Sequence, residues 1–107
     1  GVNENLFGGI MLSWLDEAGG IMASCVSHSP NVITLKMDEV VFKKPVKVKQ
    51  QIRIYGEVEK TGITSVSLYL EARRNDLVSD EEEVVCSTKM LYVKVDENGR
   101  PSPIQQK

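Results

Sequence analysis

One carboxylate stands out for where it sits. Asp16 lies within Gly8-Gly9-Ile10-Met11-Leu12-Ser13-Trp14-Leu15-Asp16-Glu17-Ala18-Gly19-Gly20-Ile21-Met22-Ala23-Ser24, a run whose apolar spacing predicts a helix. At roughly 100° per residue, Gly9, Ser13, Asp16, Glu17, Gly20 and Ser24 share a stripe about 100° wide, and every large apolar residue falls outside it. Apolar side chains then cover most of the circumference, so the helix is expected to be buried on nearly all sides. An acid on the small-residue stripe is either solvated through a crevice or taken out of water. That is where a general base would be placed, and Asp16 is the candidate. Glu17, at the edge of the same stripe, is the alternative base.

The elements that must position this acid follow in chain order. The helix is expected over residues 8–26, after a polar lead-in, with the Gly8-Gly9 pair setting its start. Ser27-His28-Ser29-Pro30-Asn31 ends it. Val32 to Phe42 is a β-branched run that reads as a strand, and Lys44-Pro45 interrupts it. From Gln51 to Glu59, Ile52, Ile54 and Val58 alternate with Arg53, Tyr55, Glu57 and Glu59. Beyond the turn Lys60-Thr61-Gly62, Val66, Leu68, Leu70 and Ala72 alternate with Ser65, Ser67, Tyr69, Glu71 and Arg73, giving an antiparallel hairpin partner. The acidic stretch 75–83 reads as a loop, because charges of one sign at this density neither pack nor pair well. Val84 to Val95 is the last long strand, closed by the turn Asp96-Glu97-Asn98-Gly99. One apolar helix followed only by antiparallel strands implies an α+β domain with the sheet wrapped around the helix. The small-residue stripe is left for a second protomer, and open sheet edges favour pairing between copies.

The chain has 107 residues, enough for one domain spanning 1–107 with a single two-layer core. Its 41% hydrophobic and 26% charged content is that of an ordinary globular protein. A net charge of −2 argues against nucleic acid or a membrane surface as main partner. Lys43, Lys44, Lys47 and Lys49 crowd one segment, where they either attract phosphates or guard an exposed strand. Cys25 and Cys86 lack metal-type spacing, which points to reduced thiols in a cytoplasmic compartment and to no metal site. His28, the one histidine, falls in a polar loop with no acidic neighbour and reads as a surface residue. Trp14, Met11, Met22, Met37 and Met90 read as core or as the lining of an apolar pocket.

Four motifs, in order, carry a family resemblance. They are Phe7-Gly8-Gly9 with Trp14-Leu15-Asp16-Glu17-Ala18; Met37-Asp38-Glu39-Val40-Val41-Phe42-Lys43-Lys44-Pro45-Val46-Lys47-Val48; Gly62-Ile63-Thr64-Ser65; and Tyr92-Val93-Lys94-Val95-Asp96-Glu97-Asn98-Gly99-Arg100-Pro101. With these the chain resembles the hotdog-fold acyl-CoA thioesterases, nearest the YciA-like group that includes the brain acyl-CoA hydrolases. The resemblance implies a central helix in a curved antiparallel sheet, a homodimer with sites at its interface, and further assembly into a hexamer as a trimer of dimers. It implies hydrolysis of acyl-CoA to free acid and CoA without a cofactor, coenzyme A being part of the substrate, and a role in fatty acid metabolism. It puts the family's helix carboxylate on Asp16. It is not followed everywhere: Gly1 stands where members usually carry an asparagine, Glu4 where they carry a glycine, and Lys49-Gln50 where Gly-Asp is common. The family's first strand is not seen.

Thioester hydrolysis needs N–H donors for the carbonyl oxygen and a base for water. Amides at the start of a helix would supply donors, with Gly8 leaving room and Gly9 offering its N–H. Gly62, Thr64 and Ser65 are the candidates for binding phosphate or pantetheine, though Thr and Ser after a turn are usually plain strand openers. Gly9 and Asp16 lie two turns apart, roughly 10 Å, too far for one reacting centre to touch both. Two antiparallel helices meeting across a twofold axis would bring one helix's glycine end beside the other's carboxylate. A non-catalytic acyl-ligand or regulatory module is the main alternative. A hydratase of the same fold ranks last, since His28 is poorly placed for it.

Overall fold

The structure is a computed structural model describing residues 2–44 and 51–105, with side chains from Gly8 onward. The departures at Gly1 and Lys49-Gln50, the Glu4 side chain, and Lys47 and Lys49 of the lysine cluster lie outside what is described. Helix α1 spans Val2–Ser27, and strands β1 (Val32–Phe42), β2 (Gln51–Thr61), β3 (Ser65–Asn75) and β4 (Glu82–Lys94) follow. The sheet is antiparallel in the order β1-β4-β3-β2, and α1 packs across one face against all four strands.

The alternation in β3 does the packing expected of it. Val66, Leu68, Leu70 and Ala72 are all buried under the helix, while the residues between them face outward. From the helix, Met11, Leu15, Gly19, Ala23 and Ser27 meet them at four-residue intervals along one stripe. Each large side chain buried there contributes about 1.5–3 kcal/mol of transfer free energy. The Ser27 hydroxyl donates back to the Ala23 carbonyl at 2.7 Å, so a polar residue at the helix end is buried at little cost.

Three expectations need correction. The helix does not begin at Gly8 but at Val2, carrying Gly8 and Gly9 into its body; a Gly-Gly pair lowers helix propensity without stopping a run that tertiary packing supports. The helix is not buried nearly all round within one chain, for Ile10, Trp14 and Ile21 are 41%, 41% and 64% exposed. The last strand starts at Glu82, inside the stretch read as a loop. Glu82 accepts from Arg53 at 2.7 Å and from the Tyr55 hydroxyl at 3.0 Å, and Glu83 pairs with Lys44 at 2.6 Å and Arg74 at 3.3 Å. Cations from β2, from β3 and from just beyond β1 thus offset the repulsion that the local sequence displays.

Candidate active site

Asp16 sits beside the buried stripe of α1, on the flank turned toward β1, and is itself partly exposed. The β1–β4 register sets Thr34 opposite Tyr92, so both side chains rise toward the helix in one row. The Thr34 hydroxyl donates to Asp16 Oδ1 at 2.7 Å. The Tyr92 hydroxyl stands 3.0 Å from the same Oδ1 and 2.9 Å from the Asp16 backbone carbonyl, its one proton shared between them. Among the described residues no hydrogen bond reaches Oδ2.

Tyr92 is 2% exposed. Burial, reinforced by the neighbouring Asp16 carboxylate, pushes its hydroxyl well above the usual tyrosine range, so it remains a donor throughout the working pH range. Gly19 makes this reach possible. A Cβ there would overlap the Tyr92 hydroxyl and come within 2.8 Å of Leu70 Cδ1.

Around the helix from this carboxylate, Gly9, Ile10, Ser13, Trp14 and Glu17 line an open depression of about 520 Å³. Gly9 is part of its lining, and apart from its chain neighbours and its own helix backbone no atom among the described residues lies within 4 Å of where its Cβ would be. Asp16 is not part of that lining, whereas Glu17 is. The ring of Phe42, from the end of β1, lies 3.4 Å from the Cβ position of Gly8. Because the helix runs back to Val2, a residue at the depth of Gly9 gives its N–H to the carbonyl four residues earlier. The unpaired amides of the helix end lie upstream of the glycine pair, so the expected donor role of Gly9 has no free amide behind it in this conformation.

Gly62, Thr64 and Ser65 form the β2–β3 turn. The Gly62 N–H donates to the Ser65 carbonyl at 2.8 Å, and the Thr64 carbonyl accepts from the Lys94 N–H at 2.8 Å. Val66, next to Ser65, pairs with Tyr92, so the turn closes the end of the sheet that holds the Asp16 row. Thr64 and Ser65 do not hydrogen-bond to Asp16. Met11 and Met90 are core, Met22 and Met37 pack against it, and Trp14 faces the depression. His28 is exposed, in the left-handed region at φ 54°. Among the described residues no three His, Cys, Asp or Glu side chains gather as a metal site requires. Nor, among the described residues, is any helix long and apolar enough to cross a membrane.

Periodicity missed three residues of this site: Thr34, Tyr92 and Gly19. The Tyr92–Asp16 bond joins positions 76 apart in the chain, and only the strand register could have linked them.

Residues 3–81 match the thioesterase superfamily. The chain is 30% identical over 105 residues to an acyl-CoA thioester hydrolase of Salmonella typhimurium, covering 95% of this chain and 78% of that one. It superposes on a hexameric hotdog-fold thioesterase of Campylobacter jejuni with a TM-score of 0.82 and 37% identity, covering 92% of this chain and 75% of that one. A hexameric thioesterase of Yersinia pestis gives a TM-score of 0.86 and 29% identity, over 94% and 80% of the two chains.

Proposed function

The chain is a member of the thioesterase superfamily, and we propose that this enzyme hydrolyses acyl-CoA to free acid and CoA with Asp16 as general base. The observation that carries this reading is the asymmetry of the carboxylate. Oδ1 is held by Thr34 and Tyr92, while Oδ2 accepts from none of the described residues and lies on a partly exposed flank. A carboxylate fixed through one oxygen presents the lone pairs of the other to a water molecule. Oδ2 takes a proton as the water oxygen bonds to the thioester carbonyl carbon, and the carbonyl oxygen gains the negative charge. When the carbonyl re-forms, the C–S bond breaks and the proton passes from Asp16 to the departing CoA sulfur. Acyl-CoA and water become acid and thiol, and the carboxylate is restored.

The working unit in this reading is a homodimer, assembled further into a hexamer. The exposed Ile10, Trp14 and Ile21 and the open edge of β1 support it, and both solved relatives described above are hexameric. Gly8 and Gly9 give a substrate carbonyl or a second helix room to approach, and Gly62, Thr64 and Ser65 contact the pantetheine or phosphate portion. The enzyme needs no cofactor, and its compartment is cytoplasmic.

Release of free thiol from a panel of acyl-CoAs tests the assignment. Asp16→Asn keeps size and hydrogen bonding but cannot accept the proton, so kcat falls roughly 10²–10⁴-fold, while Glu17→Gln stays near wild type. The reverse pattern moves the base to Glu17, which faces the depression. A second reading has its own support, because the bonds from Thr34 and Tyr92 are also those of a structural acid. An acyl-ligand-binding module without turnover follows if wild type releases no thiol from any acyl-CoA yet binds one.

A further inference from the structure

We infer that the segment 101–104, beyond β4, is a strap that positions the β2–β3 turn for the coenzyme A portion of the substrate. The inference rests on the reading of Gly62, Thr64 and Ser65 as contacts of that portion and adds what holds them in place. A turn between strands usually keeps some backbone freedom, and a ligand that binds it must freeze whatever was mobile. Here three consecutive residues are tied through their main chain. The Gly62 N–H donates to the Ser65 carbonyl, the Ile63 carbonyl accepts from the Ile104 N–H, and the Thr64 carbonyl accepts from the Lys94 N–H, each at 2.8 Å. The tie on Ile63 comes from outside the hairpin, from the strap.

The chain is built to deliver that tie. After β4, Asp96 Oδ1 accepts from the Asn98 and Arg100 N–H groups at 2.8 and 3.0 Å, and Gly99 takes the left-handed conformation at φ 78°, so the backbone reverses at once. Pro101 then bridges back to Val95, and the Ser102 N–H donates to the Lys94 carbonyl at 2.9 Å. The Lys94 ammonium group donates to the Pro103 carbonyl at 2.8 Å. Ile104 completes the strap: its side chain is buried in the core cluster while its N–H holds Ile63. Core packing of that isoleucine thus keeps a hydrogen bond that would be weak on its own. The Ile63 side chain stays exposed, and Thr64 and Ser65 are partly so. The surface a ligand would meet is left open, over a backbone already ordered.

Steady-state kinetics of the full chain on two substrates decide the matter. One is an acyl-CoA that the wild type turns over; the other is the N-acetylcysteamine thioester of the same acyl group, which carries the reacting carbonyl but lacks the phosphates. Ile104→Ala withdraws the buried anchor and raises KM for the acyl-CoA about 5–30-fold, the factor for freeing the backbone of about one residue, with kcat held within about twofold. Lys94→Met drops the tie to Pro103 but keeps the aliphatic stem, and raises KM to a smaller extent. Ile104→Val stays near wild type. None of the three alters kcat/KM for the short thioester by more than about twofold. A tail that only stabilises the fold impairs both substrates together, and that result overturns the inference, as does an unchanged KM in both Ile104→Ala and Lys94→Met. Lys94 is partly exposed, so its variant keeps the test decisive should Ile104→Ala fold poorly. Thr64→Val combined with Ser65→Ala separates the two levels. If that pair raises KM for the acyl-CoA while the strap variants do not, the strap is refuted and the turn remains the contact. If the pair leaves KM unchanged, the underlying reading has failed.

Discussion

Gly19 illustrates how a residue without a side chain enters the chemistry. Its missing Cβ leaves space for the Tyr92 hydroxyl and the Leu70 methyl. Gly19→Ala therefore does two things that an alanine in a helix ordinarily does not. It overpacks a buried contact, costing about 1–3 kcal/mol despite alanine's better helix propensity, and it pushes Tyr92 away from Asp16. The expected outcome is a lower denaturation midpoint by chemical unfolding and a kcat reduced more than stability alone explains. Gly20 is the control one residue along, because apart from its chain neighbours and its own helix backbone the nearest atom to its Cβ position, on the Tyr92 ring, is 3.9 Å away. Gly20→Ala folds as well as wild type or better, read by the same unfolding curve.

Strand β4 depends on its charged start. The Tyr55 hydroxyl, with Arg53 and Arg73, holds Glu82 below the usual carboxylate range, Arg73 does the same for Glu71, and Lys44 and Arg74 for Glu83. Arg73 also lies over the Tyr55 ring, 4.2 Å from its centre. For a carboxylate whose folded pKa is depressed, the stabilisation is present above the unfolded value, near 4.5, and is lost as pH falls through the folded value. The thermal midpoint is thus expected to hold from neutral pH to about 5 and to drop below it. Glu82→Gln lowers the midpoint at pH 7 slightly and flattens the acid limb, as scanning calorimetry at several pH values will show. The same network explains why the start of β4 was illegible in the sequence. Only six residues separate Glu82 from Asn75, but the cations that let it join the sheet come from β2 and β3, outside any local window. By contrast, β1 was read to its observed ends, and the core face of β3 was visible as plain alternation. Helix existence and the candidate acid were legible from periodicity and motif. The helix start was not, because Gly8-Gly9 mimics a boundary signal that the rest of α1 overrides.

At the scale of the whole molecule, several large apolar side chains of the chain are left exposed. Ile10, Trp14 and Ile21 on the helix, with Ile33, Leu35, Val41 and Phe42 on edge strand β1, are all more than a third exposed. Isolated apolar residues on a surface are ordinary, but one helix face and an adjoining unpaired strand edge together suit association. Sedimentation equilibrium at micromolar concentration is expected to give a mass that is an even multiple of 11.9 kDa. Ile21→Glu, which buries a charge if that face is covered, shifts the mass toward the monomer and removes at least about tenfold of activity. A stable, fully active monomer excludes the assembled form. Trp14 adds an optical consequence. It is the only tryptophan in the chain, 41% exposed, and part of the wall of the depression on the helix. Ultraviolet emission excited at the indole thus reports on one place in the protein and nowhere else. A blue shift on concentration registers another copy arriving at that wall. Quenching by a non-hydrolysed acyl-CoA analogue at constant concentration registers an acyl chain there instead, so the molecule carries its own dye for telling assembly from occupancy.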